Sequence, residues 1–144
     1  MKFIDQLKEK AKQNKKTIVL PETSDMRTIE AAGKVLAEGI ANIILVGDKE
    51  DIMSRAGDID LSGASFVDPK NYEKFDEYVD AFVEMRRKKG MTEARAKELL
   101  LTNPLYFGCM MVKQDDADGM VAGAINASAD VLRAALQTLK TAPG

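Results

Sequence analysis

Short apolar runs and helical apolar stripes alternate along the first half of the chain. TIVL at 17–20 is brief, rich in β-branched residues and followed by Pro21, which predicts a buried strand ending in a turn. SDMRTIEAAGKVLAEG then reads as a helix that Ser24 or Asp25 can cap. In it, Ile29, Ala32, Val35 and Leu36 share a face, and Gly39 ends it. NIILVG at 42–47 predicts a second buried strand, and KEDIMSRAG a short helix behind it. Strand, helix, strand and helix at this spacing make a βαβ series, hence a parallel sheet with helices on its faces.

Beyond the turn-rich DIDLSG stretch, ASFVD predicts a third strand stopped by Pro69. The pattern then gives the longest helix, capped by Asn71 and running to Lys89. Tyr72, Phe75, Val79, Phe82 and Arg86 fall on its stripe, and Gly90 closes it. TEARAKELLL at 92–101 is a further helix capped by Thr92, and Asn103-Pro104 separates it from a third that begins LYFGCMMVKQ. Three helices between strands form an insertion that a plain Rossmann unit lacks. DGMVAGAI at 118–125 predicts a fourth strand, followed by the loop NAS and a last helix, ADVLRAALQTLK. The fold class is therefore α/β, a three-layer parallel-sheet domain with helices on both faces.

Composition narrows the chemistry. A chain of 144 residues, 45% of them apolar, is sized for one compact unit with a sizeable core. It has no histidine, which excludes His-based general base catalysis and most zinc sites. One cysteine excludes an internal disulfide, as expected in a reducing cytoplasm. A net charge of -2 lacks the electrostatic footprint of a nucleic-acid groove. The longest apolar stretch, IANIILVG at 40–47, is far short of the ~20 residues of a spanning helix. The first 16 residues carry six lysines and two acids, unlike a secretory signal. Phe3, Ile4, Leu7 and Ala11 instead predict a short amphipathic helix.

In open parallel sheets, ligands bind beyond the carboxyl ends of the strands, where helix N-termini point. Two loops have that position. PETSD at 21–25 opens into a helix carrying Arg27 in its first turn. AINAS at 124–128 offers Asn126 and Ser128 and opens into the helix carrying Arg133. Exposed N–H groups and the helix dipole favour anions there, although the same residues also serve as ordinary caps. No GxGxxG or Walker pattern accompanies them. The chain has only six arginines, and the planar guanidinium binds phosphate bidentately where lysine cannot. Arg86 and Arg133 either serve that purpose or cover apolar surface and pair with acids. Arg55 and Arg95, flanked by charged or small residues, read as solvated. Cys109, in an apolar helix without an activating histidine, reads as a buried thiol. The acids of QDDADG at 114–119 read as a turn and not as a metal site.

The stretches IVLPETSDMRTIEAA, GIANIILVGD, EMRRKKGMT, NPLYFGCMMVKQDDADGMVAGA and ADVLRAALQTLKTAPG together resemble the phosphate acetyltransferase (phosphotransacetylase) family. The similarity runs in order along essentially the whole chain. It implies an enzyme that interconverts acetyl-CoA and phosphate with acetyl phosphate and CoA. It also implies two α/β domains with the active site in the cleft between them, and a cytoplasmic homodimer. Coenzyme A is then a substrate, and no cofactor, metal, nucleic acid or membrane is called for.

Family chains are about twice as long, so the resemblance makes residues 1–144 the N-terminal domain of a two-domain transferase. The groups it assigns to chemistry, a serine–arginine pair and an aspartate acting as base on the CoA thiol, fall in the part beyond. This segment alone is then expected to be inactive. Substrate-binding positions that carry over are Arg86, in the motif ending KKG, and Arg133, in D-x-LR, both toward the phosphate end of CoA. Arg27 matches a further recurrent arginine. The family pattern is altered in two places: Arg87 adjoins Arg86, leaving open which faces the ligand, and Ala134 stands where proline is common. An alternative is an acetyl-CoA-responsive regulatory domain, like those fused to bacterial malic enzymes.

Overall fold

A computed structural model describes residue 6, residues 9–10 and residues 12–122. The expected N-terminal stripe of Phe3, Ile4, Leu7 and Ala11 lies outside the described residues. The elements run β1 (Thr17–Leu20), α1 (Met26–Glu38), β2 (Asn42–Val46), α2 (Lys49–Ala56), β3 (Ser65–Val67), α3 (Phe75–Arg86), α4 (Glu93–Thr102), α5 (Pro104–Lys113) and β4 (Gly119–Met120). The four strands form one sheet in the order β3-β2-β1-β4, and every pairing is parallel.

Side-chain alternation along the strands builds two cores, one on each face of the sheet. Val19, Ile44 and Val46 pack with Tyr78, Phe82, Leu100 and Phe107 from α3, α4 and α5. Their neighbours Leu20, Ile43 and Leu45 turn the other way, onto Ile29 and Ala32 of α1 and Ile52 of α2. The register sets Val19 beside Ile44 and Leu20 beside Leu45, so each face collects its own set. Helices therefore cover both faces, as the apolar runs at 17–20 and 42–47 require. No helix among the described residues is long and apolar enough to cross a membrane.

Local signals set most boundaries. The Asp25 side chain accepts the Arg27 N–H at the start of α1, and Gly39 ends it at φ 66°. Thr92 and Asn103 cap α4 and α5 in the same way, and Pro104 fits the first turn of α5, where no N–H is needed. One expected boundary is wrong. Asn71 does not cap α3: Asp68 caps a 3-10 turn over Pro69–Asn71, Tyr72 is extended, and α3 begins only at Phe75. A second 3-10 turn, Arg87–Lys89, replaces its expected end. With 12 residues, α3 is shorter than the 13-residue α1. Of the fourth strand expected over 118–125, the described residues pair with β1 through Gly119 and Met120, 121–122 are not strand, and 123–125 lie outside the described residues.

Candidate functional site

From β1 the chain steps outward through β2 to β3, then crosses back to the other side of β1 as β4. Strand order thus reverses between β1 and β4, and a crevice lies beyond the carboxyl ends of these two strands. The crevice measures about 150 Å³ and is lined by Leu20, Glu22, Arg27, Thr28, Ala31, Val121 and Ala122. A close approach of α5 supports it from below: a Cβ on Gly108 would lie 2.8 Å from Met120 Sδ and 3.4 Å from Pro21.

On the other side of the 21–25 loop lies a larger cleft of about 540 Å³, over the ends of β1, β2 and β3. Its wall includes Thr23, Ser24, Gly47, Lys70, Leu101 and Pro104, together with the acids Glu22, Asp48 and Asp68. Asp48 and Asp68 are occupied as caps, accepting the N–H groups of Glu50 and Lys70. Glu22 is only 4% exposed and borders both cavities. Volume favours the larger cleft, but the smaller one lies at the strand-order reversal and holds the arginine. For an anionic ligand the second pair of features is the more telling.

Arg27 lies where the sequence pattern places it, in the first turn of α1, and its side chain is largely exposed. Asp25 grips it closely, with Nη2 to Oδ2 at 2.6 Å and Nε to the two carboxylate oxygens at 3.1 and 3.2 Å. The Arg27 side-chain bonds hold the Asp25 carboxyl below its ordinary range, and Asp25 in turn raises Arg27. A ligand anion at Arg27 therefore competes with Asp25 and does not meet a bare cation.

Arg86 is half-buried at the end of α3, and no carboxylate pairs with it among the described residues. Arg87 is exposed and bonded to Glu84 at 2.7 Å. Of the two, Arg86 is the one whose guanidinium has no carboxylate partner among the described residues. Neither arginine lines either cavity, so the described residues do not join Arg86 to Arg27 in one site. Asn126, Ser128 and Arg133 lie outside the described residues.

Three residues at this edge were not singled out by sequence reasoning. Glu22 and Thr23 are buried, and Arg55, expected to be solvated, donates from Nη1 to the Thr23 carbonyl at 2.9 Å. Its partner is 32 residues away on another loop, so no local pattern reveals it. The acids near 116 serve as fasteners: Asp116 accepts from Lys74 and Tyr78, and Asp118 accepts the Thr17 N–H at 2.7 Å. No group of three or more His, Cys, Asp or Glu side chains among the described residues is arranged to hold a metal. Cys109 is fully buried beside Met120.

Comparison with known proteins supplies what the crevice cannot. The family model described as Phosphate acetyl/butaryl transferase matches residues 2–144. A phosphate acetyltransferase of Acetivibrio thermocellus is 51% identical over 144 residues, all of this chain and 43% of that protein. One from Thermoanaerobacterium thermosaccharolyticum is 52% identical, again over all of this chain and 44% of its own length. The crystal structure of a phosphotransacetylase from Streptococcus pyogenes superposes with a TM-score of 0.88 at 37% identity, covering 100% of this chain and 45% of that one. The chain thus spans less than half the length of these relatives.

Proposed function

Because the chain belongs to the phosphate acetyl/butaryl transferase family, we propose that it is the N-terminal part of a phosphate acetyltransferase. The whole protein would interconvert acetyl-CoA and phosphate with acetyl phosphate and CoA. Both substrates are anions, and phosphate attack on a thioester carbonyl needs them held in register. Guanidinium groups and helix N-termini do this by position and charge, without an enzyme nucleophile. The observation that carries the reading is the family match over residues 2–144, and the crevice where strand order reverses, with Arg27 on its wall, supports it.

In this reading Arg86 and Arg133 contact phosphate groups of CoA, with Arg27, Asn126 and Ser128 as further substrate-binding positions. Arg86 is preferred to Arg87, because Glu84 already engages Arg87. Groups that act on the reacting atoms belong to the remainder of the protein, so residues 1–144 form a binding domain without turnover of their own. No cofactor takes part, and the whole enzyme is a cytoplasmic homodimer.

The test uses the full-length parent protein. Arg133→Gln is expected to raise KM for CoA at least tenfold, the loss expected when a charge-assisted phosphate contact worth about 1.4 kcal/mol or more is removed. An unchanged KM removes Arg133 from the site. The 144-residue chain, assayed for acetyl-CoA formation from acetyl phosphate, is expected to give none; appreciable turnover overturns the assignment of chemistry to the remainder.

A further inference from the structure

Thr23 ties the 21–25 loop to the sheet at two points. Its Oγ1 donates to the Val46 carbonyl at the end of β2, 2.6 Å away, and its own carbonyl accepts from Arg55 Nη1 at 2.9 Å. Arg55 is itself held on α2 by Asp51, one turn earlier, with Nε at 3.1 Å and Nη2 at 3.0 Å from Oδ2. A planar guanidinium can serve both partners at once; an ammonium has no such fixed fork. Gly47 leaves room for the arrangement, since a Cβ there would stand 3.0 Å from Thr23 Oγ1.

The direction of the Thr23 carbonyl has a consequence for the next residue. In a trans peptide, C=O and N–H point opposite ways, and the described chain has no cis bond. Drawing the Thr23 carbonyl toward Arg55 turns the Ser24 N–H away from the guanidinium. Ser24 itself lines the larger cleft, whereas Arg55 does not. That N–H has no acceptor among the described residues. The same loop then leads into α1, whose Arg27, held by Asp25, lines the crevice beside β4.

We propose that Arg55 is a positioning residue: from α2 it sets the Thr23–Ser24 peptide plane and so fixes how the 21–25 loop presents its donors to an anionic substrate group. This rests on the phosphate acetyltransferase reading for the substrate, but not for the loop contact itself.

The test compares Arg55→Ala, Arg55→Lys and Asp51→Ala in the full-length protein. The readouts are KM and kcat for CoA and phosphate, and amide hydrogen exchange over residues 21–27. Arg55→Ala is expected to raise KM for at least one of the two anions by roughly tenfold, to change kcat less, and to speed exchange in the loop. Arg55→Lys is expected to fall between it and the wild type. Asp51→Ala loosens the guanidinium without removing it and is expected to raise the same KM less than Arg55→Ala does. Should Arg55→Ala fail to fold, Arg55→Lys carries the same comparison. Wild-type exchange in the Arg55 variants, or faster exchange with both KM values unchanged, overturns the proposal. So does an Asp51→Ala variant more impaired than Arg55→Ala. If the wild-type parent shows no acetyl transfer, the functional reading falls, while the exchange comparison still decides whether Arg55 holds the loop.

Discussion

Two polar clusters hold loops in place in this domain, and they leave those loops in different states. At the turn before β4, Asp116 accepts from Lys74 Nζ at 2.6 Å and from the Tyr78 hydroxyl at 2.5 Å, with the Tyr72 hydroxyl 3.2 Å from that of Tyr78. The rings of Tyr72, Tyr78 and Phe107 pack edge-on or tilted around it. The polar groups of this cluster bond to one another. At 21–25, Thr23 and Arg55 bond to backbone carbonyls, yet the Ser24 N–H has no acceptor among the described residues and Ser24 lines an open cleft. A network whose donors and acceptors meet one another fastens; one that leaves a donor over can also bind.

The sharpest way to break this contrast is at Tyr78. Replacing it by Ala removes a fully buried ring and is expected to cost about 3–5 kcal/mol, read from denaturant unfolding. Tyr78→Phe keeps the ring and loses only the bond to a charged acceptor, for about 1.5–3 kcal/mol. Equal losses for the two variants would mean that the hydroxyl network, and not the packing, carries the cost. The pH dependence has a matching signature. Burial raises the Asp116 carboxyl, but the bonds from Lys74 and Tyr78 outweigh it and leave it below its ordinary value. That contribution is present above about pH 4 and disappears as the pH falls through the lowered folded-state value. Burial, then the bond to Asp116, raises Tyr78 well above its ordinary value. Its contribution is present below about pH 10 and is lost as the pH climbs beyond that, since only the unfolded chain then ionises. Tyr78→Phe should flatten the alkaline limb of a plot of Tm against pH.

The difference between the two clusters also explains which parts of the fold the sequence made legible. Asp25, Gly39, Thr92 and Asn103 act on groups two to four residues away, so local pattern suffices to place their helices. The continuous apolar runs at 17–20 and 42–47 are equally local and imply a sheet covered on both faces, as the two cores show. The 3-10 turn at 69–71 defeated the pattern because Pro69 and Asp68 favour it over an α-helical start at Asn71. The Thr23 partner of Arg55 and the Lys74 partner of Asp116 could not be foreseen, since they lie 32 and 42 residues away. Candidate substrate positions were only partly reachable: Arg27 borders the crevice, Arg86 does not, and Asn126, Ser128 and Arg133 lie outside the described residues.

Gly47 tests whether the open cluster also depends on backbone geometry. Its φ of 142° is one that side chains rarely adopt, and an added Cβ would press on Thr23 Oγ1 at 3.0 Å and Ile52 Cδ1 at 3.2 Å. Gly47→Ala is therefore expected to cost about 1–3 kcal/mol of stability. Unlike Tyr78→Phe, it should also raise KM for an anionic substrate in the full-length enzyme, because the displaced residue is Thr23. A stability loss with unchanged KM would make the 21–25 loop a fastener like the turn at 115–118.

Thr23→Val separates the two ties within that loop and has the smallest expected effect. Valine matches threonine in shape but cannot donate, so the bond to the Val46 carbonyl is lost and a buried acceptor is left without it. A stability loss of about 1 kcal/mol is expected, as for one neutral hydrogen bond. The Arg55 bond is made to the Thr23 backbone carbonyl, which valine retains, so the peptide plane should stay where Arg55 sets it. KM should then rise less than in Arg55→Ala, even if the loss of stability is as large or larger. Should Thr23→Val and Arg55→Ala instead raise KM alike, the loop would answer to either tie equally. The orientation of the Ser24 amide would then depend on the loop's overall attachment to the sheet and not on the guanidinium alone.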